Sequence, residues 1–351
     1  MARRWTLFPV AAIAALLLSA GPALACGGLI GPNGAVNLLR TTTFAGYHDG
    51  IEHYVTAFEY AGGGGAFGSL TPLPGIPTSV EKGGDWTLQR LVLETDPPPI
   101  QFFDAVSAAG EARSAEELMK VRIDALDLTV LRGGAAEVGR WATEHGFRLP
   151  PDAPEVLEFY ASRSPIFLAA AFDPTEAAAR GQSLGDGTAV HISIPTDNPW
   201  VPLRILGLGK TDAERVEADV YVLTDTRPAF LPIAHGRNGI QLDHSAAASE
   251  SLLADLRSDR GMDWVPDAGW LSKVVVDASA GQLRYDLAID ASGAGAPSRV
   301  QAGLDLPATG GLEAGVNAAR LVTTLVIVVA GIAGLGLLVT ARSGGGRIGA
   351  A

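Results

Sequence analysis

The sequence predicts a mixed α+β fold, rich in strands and carrying several helices, followed by one C-terminal transmembrane helix. Three observations predict it. Apolar and polar residues alternate in short runs, as in Val190, Ile192 and Ile194 against His191 and Ser193, and Val216, Ala218, Val220 and Val222 against Glu217, Asp219 and Tyr221; a period of two is that of a half-buried strand. Other runs space their apolar residues by three and four, as Leu88, Leu91 and Val92 do, which lays one stripe along a helix. Leu321 to Ala341 is an uncharged run of 21 residues, about 31 Å long as a helix, which matches the hydrocarbon core of a bilayer.

At the start of the chain, Arg3 and Arg4, a mostly apolar run from Leu7 to Ala20 and the small-residue site Ala23-Leu24-Ala25 have the layout of a secretory signal. Cleavage after Ala25 is expected. The alternative, an uncleaved N-terminal anchor, is opposed by Pro9 and Pro22 and by a run shorter than the roughly 18 residues of a span. Cys26 then heads the mature chain and is a candidate for lipidation, although Ala23 and Leu24 stand in the reverse of the order that modification favours.

Residues 36–43 and 51–60 read as two strands joined at His48-Asp49-Gly50, because an Asp-Gly pair between β-branched and aromatic runs is a hairpin signal. Gly62 to Gly65 follow as a loop or bulge, and Pro72, Pro74 and Pro77 keep the next stretch extended at an edge or crossover. Asp85 is placed to cap the helix that carries Leu88, Leu91 and Val92. A second helix shows the same spacing at Val138, Trp141 and Ala142, and an Ala-rich helix is expected over Thr175 to Arg180.

Beyond these elements, Asp290 to Pro297 is rich in Ala, Gly and Ser, a composition suited to a linker. The expected organisation is a signal over 1–25, an α+β domain of one or two lobes over 26–289, a stalk over 290–320, a membrane span over 321–341 and a short tail over 342–351. Arg342 and Arg347 mark the tail as cytoplasmic, which leaves the large domain extracellular. Within the stalk, Leu306-Pro307-Ala308-Thr309-Gly310 resembles the signal by which sortases attach proteins to the Gram-positive cell wall. If used, it is cut between Thr309 and Gly310, and Thr309 is joined to the wall. Ten residues between Gly310 and the span, and two separated arginines in the tail, depart from that pattern.

The 351 residues are 47% apolar and 18% charged, with a net charge of −12, which suits a folded core. Five of the 26 Lys and Arg residues lie in the end segments against one acid, Glu313, so the domain between them is more acidic than the whole. Such a surface argues against nucleic acid, whose binding rests on Lys and Arg displacing counterions. A single cysteine excludes an internal disulfide and a cysteine-based zinc site.

Candidate chemistry is sparse. Gly181-Gln182-Ser183-Leu184-Gly185 spells a nucleophile elbow, with Asp225, His235 and His244 as candidate triad partners of Ser183. That elbow joins a strand to a helix, whereas here a helix precedes the motif and a strand follows it. Gly209-Lys210-Thr211 has Arg204 where a phosphate loop needs its first glycine, so it reads as a turn. His48, His53 and Glu59, with Glu52 nearby, are candidate metal ligands. Strand alternation places His53 and Glu59 on one face and Glu52 on the other. Trp86, Trp141, Trp200, Trp264 and Trp270 read as core anchors.

Cys26-Gly27-Gly28, the run from Phe67 through Pro77, Trp200-Val201-Pro202-Leu203-Arg204, Tyr221-Val222-Leu223-Thr224-Asp225 and Gly269-Trp270-Leu271-Ser272-Lys273 together resemble a family of bacterial exported proteins known only as a domain of unknown function. The resemblance covers most of the mature chain. It implies export and a shared fold, and it transfers no catalytic residue. The expected function is therefore a non-enzymatic binding or structural domain of the cell envelope. The alternative is an envelope serine hydrolase using Ser183. Expected partners are the membrane through 321–341, the wall through Thr309 and an envelope protein or glycan, and no cofactor is implied.

Overall fold

A computed structural model of the protein describes residues 28–32, 34–35, 41–58, 66–96, 118–181 and 188–305. Strands β1 (Gly28–Gly31), β2 (Gly34–Ala35), β3 (Thr41–His48), β4 (Ile51–Phe58), β5 (Phe67–Pro72) and β6 (Ser79–Lys82) precede helix α1 (Thr87–Thr95). Next come β7 (Met119–Ile123), β8 (Leu126–Arg132), helices α2 (Ala135–Glu144) and α3 (Ala153–Ala161), β9 (Ile166–Phe172), helix α4 (Pro174–Ala179) and β10 (Thr188–Pro195). The remaining elements are β11 (Trp200–Val201), β12 (Arg215–Thr224), β13 (Ala229–Leu231), β14 (Ile240–Ala247), helix α5 (Glu250–Ser258), β15 (Trp270–Ser279) and β16 (Leu287–Asp290). The α+β expectation holds for the described residues.

The expected hairpin is β3 and β4, with its first strand shifted: β3 starts at Thr41 and continues past 43 to His48, so that the strand itself runs into the turn. The pairing extends from Thr43 with Thr56 to His48 with Ile51, and residues 36–40 and 59–60 of the expected strands lie outside the described ones. Asp49 and Gly50 have φ of 49° and 78°, the left-handed pair that lets a two-residue turn follow the twist of the strands. This hairpin lies near the middle of a seven-stranded sheet ordered β14-β15-β12-β3-β4-β10-β6, where only β12 and β3 run parallel. A six-stranded antiparallel sheet has the order β2-β1-β5-β9-β8-β7, and a small sheet the order β11-β16-β13. The proline-rich run after β5 carries the chain from the six-stranded sheet to β6, an edge of the seven-stranded one.

Alternation sorts the side chains into layers. Leu168 and Ala170 of β9 join Leu128, Val190, Ile192, Val220 and Val274 in a core between the two large sheets. Phe167 and Ala169, on the opposite face of β9, pack with Val138 and Trp141 of α2 and Leu157 and Tyr160 of α3. The far face of the seven-stranded sheet presents Phe44, Val55, Tyr221 and Leu271 to Leu91 of α1 and Leu252 and Leu256 of α5. The order is thus helices, sheet, sheet, helices, and burial of the three apolar layers drives it.

One expectation is corrected at α1. Asp85 is exposed, and the N-cap position is Trp86, whose side chain makes no capping hydrogen bond. The carboxylate of Asp259 takes that place: it accepts from the N–H groups of Asp85 at 3.2 Å, Trp86 at 3.3 Å and Thr87 at 2.8 Å, and from the Thr87 hydroxyl at 2.7 Å. The unpaired N–H groups of a helix start need an acceptor, and here a distant segment supplies it.

Tyr160, Arg163 and Asp286 form a buried polar knot. Asp286 accepts from Arg163, from the Tyr160 hydroxyl at 2.9 Å and from the N–H of Leu203 at 2.7 Å, while Arg163 also donates to the Gln301 carbonyl. Ala302 is fully buried and its carbonyl accepts from the Asp286 N–H at 3.0 Å. The compact unit accordingly runs through Asp305. Among the described residues no helix is long and apolar enough to cross a membrane; residues 321–341 lie outside them.

Candidate functional site

The outer face of the seven-stranded sheet, on the helix side, gathers the titratable groups. Strand alternation puts Phe44, Gly46 and His48 of β3 on this face, and the register places His53 of β4 opposite Gly46 and Ser193 of β10 opposite His53. His191, two residues before Ser193, therefore sits diagonally from His53, and its Nε2 lies 3.0 Å from Nδ1 of His53. The rings are 5.2 Å apart between centroids. His53 is 7% exposed and His191 5%.

A loop after α5 covers the pair. The indole of Trp264 lies flat on the His53 ring, at 3.8 Å between centroids and 4° between planes. It also reaches over Gly46, where a Cβ would stand 2.0 Å from the indole Cη2. Only a residue without a side chain admits the ring there. Gly261, with φ of 73°, brings the loop so close to His191 that a Cβ would lie 3.0 Å from its Nδ1. Asp259, which caps α1, begins the same loop, so one short segment both starts a helix and roofs the histidines.

Burial decides the charge state. Desolvation, then the proximity of His191 and of His48, pushes His53 down to about 3 from the ordinary 6.5. Desolvation likewise pushes His191 down to about 4, opposed by the charge of Asp263. Both rings are neutral at pH 7, and one donates its N–H to the lone pair of the other. A proton taken at the outer nitrogen of the donor ring leaves that contact intact, so burial, with the indole covering one face of His53, is what keeps the pair neutral.

His48 stands beside this pair on the same face. Its Nδ1 is 2.7 Å from Asp225 Oδ1, and its Nε2 is 3.5 Å from Asp49 Oδ2. Asp225, a candidate triad partner, is thereby joined to a histidine that sequence reasoning assigned to a metal site. His235 Nδ1 accepts from the Arg237 N–H at 3.1 Å, and His244 lies on β14. Ser183, Glu59, Ala25, Cys26, Thr309 and Gly310 lie outside the described residues, as does the membrane segment. Among the described residues no group of three or more His, Cys, Asp or Glu side chains is placed to hold a metal ion.

A second cluster lies on the same face at Lys273, whose side chain is 3% exposed. Its ammonium contacts Asp96 and lies 3.6 Å from Asp243 and 3.9 Å from Asp219. Burial would lower its pKa, but the hydrogen bond to Asp96 and the neighbouring charges of Tyr221, Asp219 and Asp96 outweigh it and hold it above the ordinary value. The lysine is a fixed cation, the wrong state for a nucleophilic amine.

Sequence reasoning singled out His53 and His48 as candidate ligands and Trp264 as a core anchor, but gave no site role to His191 or Lys273. The alternation at Val190, His191 and Ile192 was legible, and it says which side a residue takes. It does not say that helices and a loop cover that side.

A family model described as an uncharacterized protein conserved in bacteria, DUF2330, matches residues 76–266. No curated protein matches the sequence. Among solved structures, baculovirus P35 aligns with a TM-score of 0.33 and 11% identity, over 60% of this chain and 76% of that one. A mutated baculovirus P35 after caspase cleavage gives 0.36 and 10%, over 71% and 98%, and the caspase-8/P35 complex 0.36 and 8%, over 71% and 95%. Likeness at that level carries no argument about this chain.

Proposed function

We propose, from the premise that this chain belongs to the bacterial family DUF2330, that it is an exported envelope protein whose acidic domain binds or braces other envelope components outside the cell. Two sequence features support the address: the signal-like segment ending at Ala25, and the uncharged run over 321–341 with Arg342 and Arg347 behind it. One observation carries the binding or structural reading. The most deeply buried titratable groups drawn together on the described fold are engaged with one another, as His53 is with His191 and Asp286 with Arg163, while the buried Lys273 is held by Asp96 at the surface. Wall attachment through Thr309 is the finer version of the same proposal.

Protease added to intact cells should degrade residues 26–305 while a cytosolic marker survives. Deleting 321–351 should release the domain into the medium, and Thr309→Ala should abolish release by wall-digesting enzymes if the wall holds it. A chain protected in intact cells would end the proposal. A serine-reactive probe that labels the wild type but not Ser183→Ala would replace the binding reading with the hydrolase one.

A further inference from the structure

Glu52 is fully buried, on the inner face of β4 with Tyr54 and Thr56, opposite the face that carries His53. Its register partners are Tyr47 on β3 and Ile194 on β10. Oε2 accepts from the N–H of Trp200 at 3.3 Å, and Oε1 has no partner among the described residues. Along the same face, Thr56 and its register partner Thr43 also bury hydroxyls that have no partner among the described residues.

The single hydrogen bond joins two sheets. Trp200 begins β11, pairs with Ala288 of β16, and buries its ring against Tyr160 at 5.8 Å between centroids. Glu52 thus ties the middle of the seven-stranded sheet to the small sheet and to the helices beyond it. No basic side chain among the described residues bonds to Glu52. Tyr47 faces it from β3, Asp197 lies in the loop after β10 and acts on that tyrosine, and Ile194 from β10 is apolar. Arg163 lies across the Trp200 ring, but its guanidinium is committed to Asp286.

A buried carboxylate without a cation is far costlier than the neutral acid. We propose that Glu52 is carried as the neutral acid in the folded protein and acts as a proton-gated latch: its ionisation in alkaline solution strengthens the Trp200 N–H bond but leaves an uncompensated charge in the core, and the cost of that charge opens the contact between β11 and β4 to water. Burial pushes this carboxyl up to about 8 from the ordinary 4.5, against the lowering effect of the Trp200 N–H. A folded-state value above the unfolded one means that the stabilisation is complete below about pH 4.5 and is lost as pH rises through 8.

Two measurements on the full-length protein in detergent test this. In a carbon-13 titration of the glutamate carboxyls, one signal should titrate near pH 8 and be missing from Glu52→Gln. By hydrogen exchange corrected for intrinsic rate, protection of the peptide containing Trp200 should fall by up to about tenfold per pH unit as Glu52 ionises, and stay level in Glu52→Gln. If every glutamate titrates below about pH 5.5, near the unperturbed range, the latch does not exist. Equal alkaline loss of protection in both proteins overturns it too, and the wild-type titration decides the matter even if the variant does not fold.

Discussion

Gly46 shows how much one missing side chain can decide. Its Cβ position is occupied by Trp264, so the indole can lie against the sheet and stack on His53. Gly46→Ala should push that ring away, with a loss of roughly 1–3 kcal/mol, the usual cost of overpacking. Urea unfolding would read the loss, and proton NMR would show the upfield shift of the His53 ring signals relaxing. Unchanged shifts would mean that the indole does not hold this position. Nothing in the sequence marks Gly46 among 43 glycines, because the need for a glycine arises from a tryptophan far along the chain. His53 was legible as a polar residue on a strand, but its partner and its roof were not.

At the scale of elements, strand and helix periods translated directly. The Asp-Gly turn, β10, β12 and α2 stand where alternation and three-four spacing put them, since those signals are local. The start of α1 was misread because its capping group is not local. Asp259→Ala should remove the acceptor for three N–H groups and one hydroxyl and destabilise the protein by about 1–2 kcal/mol, as lost caps do. Asp259→Asn, which keeps one acceptor oxygen and turns the other into a donor, should fall between. Asp85→Ala should cost much less. Denaturant melts of the three variants rank them, and a larger loss for Asp85→Ala than for Asp259→Ala would restore the local cap.

For the molecule as a whole, buried groups of opposite chemistry set the response to pH. The unfolded histidines take up protons near pH 6.5, whereas His53 and His191 resist until about 3 and 4. Between those values the unfolded state binds more protons, so the stability they confer is complete above about pH 6.5 and declines as pH falls, by up to about 1.4 kcal/mol per unit for each ring. Glu52 acts in the reverse sense, losing stability as pH rises from 4.5 through 8. Two rings outweigh one carboxyl below pH 6.5, and the carboxyl acts alone above it, so stability should peak near that pH. Melts from pH 4.5 to 8.5 check this, and a flat profile would show that neither site is buried as described. Composition foretold a foldable core but not these sites, because burial of a polar residue follows from how layers stack. The knot around Asp286 has a mechanical corollary. Because Gln301 and Ala302 are bound to Arg163 and Asp286 in the interior, tension arriving along the backbone from beyond Asp305 meets a cross-braced anchorage. That anchorage lies between such a load and β16, the last strand of the described fold.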